Sequence, residues 1–456
     1  MSDRPDNWSS RAGFILATIG SAVGIGSIWK FPYEVGANGG SAFVLFYLIG
    51  LIFIVVPLMF AEFAIGRRGR GDPASSIAAV AAAAGSAGGW RLVGVLGVVT
   101  GFLILSFYSV IGGWTIGYAV ESATMGLPGA ELRAVKARYD TFLASPVKLL
   151  VYHGVFMAFA AVIVARGIAR GIETASKILM PVLAALMLVL AAYSMIEGDL
   201  AAALRFLLRI EAKDLNARSA LEALGLGFFS IGVGLGLMIT YAAYSGTDIN
   251  LRQVAVVSVV ADTLISLLAG LAVFPIVFAH GLDPASGPGL VFVTLPLAFA
   301  RMPFGTLAAC VFFLLLFVAA LASAISLLEL VVAMLIRRLS WGRTAATALA
   351  SAVCFTAGIA TVFSFNVWSD WHPLAMVHGL EGASFFDALD HLTSNVMLPL
   401  SGFALALFAG WAAPHRLLAE ELRLSPRGAA VLRLALRYIV PIAIAVATLM
   451  PLFVGR

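Results

Sequence analysis

The sequence predicts an all-α membrane protein, and three observations carry that expectation. Hydrophobic residues make up 61% of the 456 and charged residues only 12%, with a mean hydropathy of +1.00. A soluble fold cannot bury that much apolar surface, whereas a bilayer solvates it. Apolar runs close to the roughly 20 residues that cross the hydrocarbon as a helix recur eleven times along the chain. None alternates with period two, which excludes the strands of a transmembrane barrel.

In chain order the runs lie near 13–36, 41–65, 92–121, 149–165, 178–196, 221–245, 254–280, 303–336, 344–363, 386–411 and 433–453. With the amino terminus in the cytoplasm, eleven crossings put the carboxyl terminus outside. Eighteen of the 29 Lys and Arg residues then fall on cytoplasmic segments, among them Arg67, Arg68, Arg70, Arg337, Arg338 and Arg343. Ten face the exterior, and Lys30 stands apart inside the first run. Acidic residues run the other way. That is the positive-inside bias of short loops, so the net charge of +5 reports orientation, and no nucleic-acid partner is expected. The first run lacks a small-residue cleavage site and follows a polar, acidic start, Met1 to Ser10, so no cleavable signal peptide is expected. Cys310 and Cys354 fall within apolar runs and read as small core residues, not as a disulfide or metal ligands. No segment between runs is long enough for a soluble domain.

The informative places are those where an apolar run stops behaving as a plain helix. In the first, the stretch Gly20 to Ser27 (GSAVGIGS) precedes Ile28-Trp29-Lys30-Phe31-Pro32. Glycine costs about 1 kcal/mol in a helix interior. The sixth run repeats the theme from Ser230 to Gly236 (SIGVGLG), followed by Thr240-Tyr241. Close packing on small residues explains either stretch alone. Interruptions at the first and sixth positions of two five-helix halves instead point to an inverted-repeat transporter with a site at mid-membrane. The expected units are a cytoplasmic segment 1–12, a first repeat 13–196, an inverted second repeat 219–411, and a loop with an eleventh helix at 412–456. In such a break, free N–H groups attract a carboxylate and free carbonyls coordinate a cation, which suits an amino acid together with sodium. Lys30, Glu62, Asp262, Glu329 and Asp390 lie in or at the edges of the runs, where a charge either lines a pathway or satisfies exposed backbone or another charge. Asp262 sits deepest in its run.

At this point the residues resemble a known family. Trp8, Arg11, the run Gly20 to Pro32, Asn38-Gly39-Gly40 and Pro57…Glu62…Gly66-Arg67 are similar to the opening helices of the neurotransmitter:sodium symporters, and most of all to their bacterial LeuT-type amino-acid transporters. Tyr108…Trp114-Thr115, Phe228-Phe229-Ser230, Thr240-Tyr241…Tyr244, Ser323-Ala324-Ile325-Ser326 and Phe386 to Asp390 with Pro399 extend the resemblance over nearly the whole chain. It implies a LeuT fold, a 5+5 inverted repeat with broken helices 1 and 6 plus an eleventh helix, and sodium-coupled uptake by alternating access in a bacterial inner membrane. The rule that paired breaks mark the site was itself drawn from such transporters, so rule and resemblance are not independent.

Carried over position by position, the resemblance puts the substrate carboxylate at the backbone of Gly24 and Gly26, with the Tyr108 hydroxyl donating to it. The ammonium meets carbonyls of Ala22, Phe229 and Ser230. Ile104, Phe229, Gly232, Leu235, Ser323 and Leu327 select the side chain; they form an apolar pocket for a neutral hydrophobic or aromatic amino acid, and Gly232 leaves room where relatives often have serine. One sodium ion falls to the Ala22 carbonyl, Ser27, Ser230, Asp262 and the substrate carboxylate, with Ser27 in place of the usual asparagine. A second falls to carbonyls of Gly20, Val23 and Ala319 with Ser323, where Ala322 replaces a usual threonine ligand. No chloride requirement is expected, because Asp262 stands where chloride-dependent relatives carry asparagine and Leu226 where they carry glutamine.

The resemblance also supplies gates: Lys30, in place of arginine, opposite Asp390, with Phe229 as an aromatic lid; and Trp8 with Tyr244 on the inner side. Pro5 and Arg337 replace the usual inner arginine and aspartate, so inner closure must rely on other contacts. Alternatives are a relative coupled to one sodium ion or to protons, or a substrate sensor, which would be expected to carry a long signalling extension. An enzyme is not expected: the sequence has no HExxH, no GxSxG and no protease-type aspartate pair. The expected partners are a small-molecule amino acid and the bilayer, with no obligatory protein partner.

Overall fold

The computed structural model describes residues 7–210, 215–284, 289–377 and 380–450. All regular structure in these residues is helical. Among them, nine helices are long and apolar enough to cross a bilayer unaided: Ser41–Gly69, Gly88–Met125, Pro146–Ala165, Ile168–Glu197, Leu251–Ala279, Gly305–Leu339, Arg343–Ser364, Phe385–Ala412 and Pro426–Leu449. The pair Arg11–Ala22 and Gly26–Ala37, bent by 51°, makes a tenth. The run expected at 221–245 is divided into Ala217–Ile231 and Leu237–Ala243. Neither half is long enough alone, so the eleven expected runs map onto nine unbroken helices and two broken ones. The Gly305–Leu339 helix is the most enclosed: 83% of its apolar stretch is buried, against 33% for Pro146–Ala165 and Pro426–Leu449. The first is an axis of the bundle; the other two turn most of their surface outward.

Proline shapes several of these helices. It offers no N–H and its ring crowds the carbonyl four residues back. Widened π-helical turns at Leu51–Val55, Leu290–Thr294, His391–Met397 and Ala435–Ile439 each end two residues before Pro57, Pro296, Pro399 or Pro441. The wider turn accommodates the ring without breaking the helix.

The two breaks differ in kind. In the first, Val23 leaves the helix at φ −81° and ψ 104°, and only Val23, Gly24 and Ile25 separate the halves. A Cβ on Gly24 would stand 2.5 Å from Ser323 Oγ and 2.9 Å from the Tyr108 hydroxyl, so glycine here is a condition of close packing. The second break is wider. Gly232, Gly234 and Gly236 adopt φ of +70°, +94° and +84°, a region that other residues enter at a cost. Glu62, fully buried, accepts from Gly234 N at 2.5 Å and Met238 N at 3.0 Å, and Ser401 Oγ donates to the Gly234 carbonyl at 2.6 Å. The carboxylate satisfies donors that lipid could not and faces the positive end of the Leu237–Ala243 helix. Of the two roles open to Glu62 from sequence, the structure supports the structural one.

Candidate functional site between the broken helices

The breaks face one another across a cavity of about 450 Å³, its opening included. Gly24 and Gly26 form one wall; Phe229, Ser230, Gly232 and Leu235 form the opposite one; Ile104 and Tyr108 enter from Gly88–Met125, and Ser323 and Leu327 from Gly305–Leu339. These are ten of the eleven residues expected around a substrate. The eleventh, Ala22, is fully buried and does not line the cavity. Ser21, Leu237 and Leu398 line it and were not expected. The Ser21 hydroxyl is buried without a partner, a polar point in an otherwise mostly apolar wall.

At the first break the Tyr108 hydroxyl accepts from Ile25 N at 3.1 Å. Its own proton stays available for an acceptor in the cavity, beside free backbone and the start of the Gly26–Ala37 half-helix.

Behind the cavity wall lies a buried polar cluster. Ser27 Oγ donates to Asp262 Oδ1 at 2.5 Å and stands 3.0 Å from Ser230 Oγ. Ser230 Oγ is 3.3 and 3.4 Å from the two carboxylate oxygens, and the Tyr47 hydroxyl donates to Oδ2 at 3.0 Å. Ser27 and Asp262 are fully buried and Ser230 nearly so. The serine at 27 thus reaches the carboxylate despite being shorter than asparagine. Three hydroxyls with a carboxylate make a hard-oxygen donor set, which suits an alkali or alkaline-earth cation. Nearby, Ser266 Oγ is buried with no partner.

A second oxygen cluster closes the other side of the first break. Ser323 Oγ lies 3.3 Å from the carbonyls of Gly20 and Val23 and 3.5 Å from that of Ser21. Ala319 and Ala322 pack into the same buried cluster as Val23. A Cβ on Gly20 would come within 3.4 Å of the Ala322 methyl, so residue 322 packs beside Gly20 just before the break with a side chain that has no ligating atom.

The two ends of the cavity differ. Toward one, Lys30 does not pair with Asp390 within 4 Å. Its ammonium sits 4.2 Å from the centre of the Phe229 ring, while Asp390 Oδ1 accepts from Ser394 at 2.8 Å. The expected ion pair is therefore not made in this structure; the ammonium rests on the Phe229 ring. Toward the other end the chain is clasped. Trp8 donates its indole N–H to the Tyr241 carbonyl at 2.9 Å and its backbone N–H to that of Tyr244 at 3.3 Å. The Tyr244 hydroxyl donates to Glu329 at 2.8 Å, and Arg343 holds both Glu329 oxygens at 2.6 and 3.1 Å. Ser9 and Ser10 bind Glu173, each at 2.7 Å. These contacts tie the chain together at the end where Pro5, which lies outside the described residues, and the exposed Arg337 were not expected to do so.

The sequence matches the sodium:neurotransmitter symporter family over residues 5–141 and 147–449. The chain belongs to that family. Within it the chain is 37% identical to a sodium-dependent transporter, YhdH, of Bacillus subtilis, over 97% of this chain and 96% of that one. It is 31% identical to a sodium-dependent transporter of Haemophilus influenzae, over 89% and 88%. Among solved structures it resembles MhsT in complex with L-phenylalanine, with a TM-score of 0.88 and 39% identity over 98% of this chain and 99% of that one. The fold is the LeuT fold of these symporters, and the protein is a multi-pass membrane transporter, not an enzyme.

Proposed function

We propose that this symporter-family protein carries a neutral hydrophobic or aromatic amino acid into a bacterial cell together with sodium, by alternating access across the inner membrane. The observation that carries this reading is one cavity bounded by both helix breaks, with the Tyr108 hydroxyl at the first and the Asp262 cluster behind the second. A zwitterion fits it end to end: carboxylate at Gly24, Gly26 and Tyr108, ammonium at the Phe229 and Ser230 carbonyls, side chain against Ile104, Leu235, Leu327 and Leu398. L-Phenylalanine in the MhsT structure supports an aromatic side chain, and the relatives' names support sodium.

In this reading sodium binds Ser27, Ser230 and Asp262 beside the substrate carboxylate, so each ligand completes the other's site and their affinities are coupled. A second ion sits at Gly20, Val23, Ala319 and Ser323, weakened by Ala322. Asp262 supplies the negative charge that removes any need for chloride. Trp8, Tyr244 and Arg343 belong to the cytoplasmic end, and the carboxyl terminus lies outside, as the charge bias of the loops requires. A thermal-shift screen of the common amino acids, with and without sodium, tests the reading, since a ligand of the folded state stabilises according to its concentration over its Kd. Phenylalanine and its apolar neighbours should stabilise the protein only with sodium; no shift with any of them would overturn the assignment.

A further inference from the structure

Arg433 and Arg437 lie one turn apart on the membrane-crossing helix Pro426–Leu449, half-buried against the end of Phe385–Ala412. The two helices approach closely there: a Cβ on Gly410 would stand 2.8 Å from the Arg437 Cα. Arg433 donates to the carbonyls of Gly410 and Ala413, each at 3.0 Å, and Arg437 donates to that of Gly410 at 3.2 Å. The Arg437 guanidinium lies 4.3 Å from the centre of the Trp411 ring, whose indole N–H donates to the Arg437 carbonyl at 3.2 Å. Tyr438 stands edge-on to the same ring at 5.6 Å.

Capping the last carbonyls of a helix is a common use of arginine. Here it engages three of the ten N–H groups that two guanidiniums carry, and it balances neither charge. Neither arginine makes an ion pair among the described residues. The carboxylates of the adjoining short helix Leu417–Leu422 are taken: Glu420 is 2.5 Å from Arg68 and Glu421 is 2.8 Å from Arg67. Two like charges at the edge of the hydrocarbon with no anion beside them are costly. Trp411 is 52% exposed and Leu434 56%, on a surface that the bilayer covers, so lipid packs beside the unused nitrogens.

We propose that Arg433 and Arg437 hold the phosphate of one anionic phospholipid, of the phosphatidylglycerol type. Both terminal nitrogens of Arg437 and one of Arg433 are unused, and such forks match phosphate oxygens. The Trp411 and Tyr438 rings bracket the glycerol region, where amphipathic rings sit. The acyl chains run along the exposed stripe of Leu434, Tyr438, Ile442 and Val446, spaced four residues apart. A zwitterionic lipid brings its own cation and leaves the arginines unbalanced. A free phosphate would fill the fork and leave the rings and the stripe unused. The leaflet is the cytoplasmic one in the orientation proposed above, and basic pockets between helices on that side suit anionic headgroups.

Native mass spectrometry of the purified, delipidated protein tests the site. Dioleoyl-phosphatidylglycerol and dioleoyl-phosphatidylcholine are titrated separately, and inorganic phosphate is added as a competitor. The first phosphatidylglycerol is expected to bind at least about ten-fold more tightly than phosphatidylcholine, through charge-assisted pairing, and millimolar phosphate should not displace it. Arg433→Gln combined with Arg437→Gln should remove the preference. Arg416→Gln combined with Arg427→Gln, an equal loss of charge at two exposed arginines nearby, should keep it. Arg437→Lys retains the charge without the fork and should weaken the tight binding by about five-fold; it carries the test if the double variant does not fold. No preference in the parent, displacement by phosphate, a preference that survives the changes at 433 and 437, or an equal loss in the control pair overturns the proposal. The measurement needs no substrate, so its outcome is independent of what the chain transports.

Discussion

Ser27 donates to Asp262 at 2.5 Å, a buried polar contact between the first broken helix and the unbroken Leu251–Ala279 helix. Tyr47 and Ser230 complete the ring of hydroxyls around the same carboxylate. In the function proposed, a fixed charge held this way compensates a cation at mid-membrane without a bound anion, where uncompensated charge is costly.

Chloride should therefore be dispensable. Uptake is expected to be equal in chloride and gluconate media, and Asp262→Ala should abolish it. Asp262→Asn should lose activity in gluconate and recover part of it in chloride, because Tyr47 and the unpartnered Ser266 remain to hold an anion. Parent uptake that collapses without chloride contradicts the role given to Asp262.

Tyr108→Phe removes the hydroxyl proposed to face the substrate carboxylate and also leaves Ile25 N without its acceptor. Substrate affinity should fall by roughly 1–3 kcal/mol, the usual cost of leaving a buried partner unpaired. Scintillation proximity with labelled substrate measures this, and an unchanged Kd counts against the assignment.

Ala322 packs beside Gly20 without a ligating atom. Ala322→Thr should move the sodium titration of substrate binding to lower concentration. Superimposable curves for the two proteins would mean that position 322 does not limit the second ion.

Gly234→Ala should lower the unfolding temperature markedly. At φ +94° a Cβ is strained and would stand 2.9 Å from Gly402 N, a cost on the order of 1–3 kcal/mol or more. Gly225→Ala is the control: nothing lies within 4 Å of its Cβ position, and helix propensity favours alanine by about 1 kcal/mol. Equal unfolding temperatures for the two variants would contradict the account of the second break.

Both breaks were legible in the sequence because two glycine-rich stretches recur at the first and sixth runs, a pairing that close packing on small residues does not require. The same holds for Asp262, whose burial in an apolar run demands partners. The extra wall residues were not legible. Whether Ser21 points into the cavity depends on where the helix lets go, at Val23; Leu398 arrives from a helix whose register is shifted by the π-helical turn before Pro399. The separation of Lys30 from Asp390 was equally hidden, because opposite charges in sequence say nothing about the width of the mouth between them. Glu329 was legible as a functional or structural charge, and its partner Arg343 only as a member of a basic loop; their pairing needs the turn after Leu339 that folds Arg343, at the start of the next helix, back toward Glu329.

The central claim, coupled transport through the cavity between the breaks, is tested most directly by uptake of labelled phenylalanine into proteoliposomes carrying the purified protein. With sodium outside and potassium inside, the account predicts accumulation above the external concentration, abolished by collapsing the sodium gradient and by Asp262→Ala. Accumulation that persists without a sodium gradient, or a failure to accumulate any apolar amino acid under one, would contradict it.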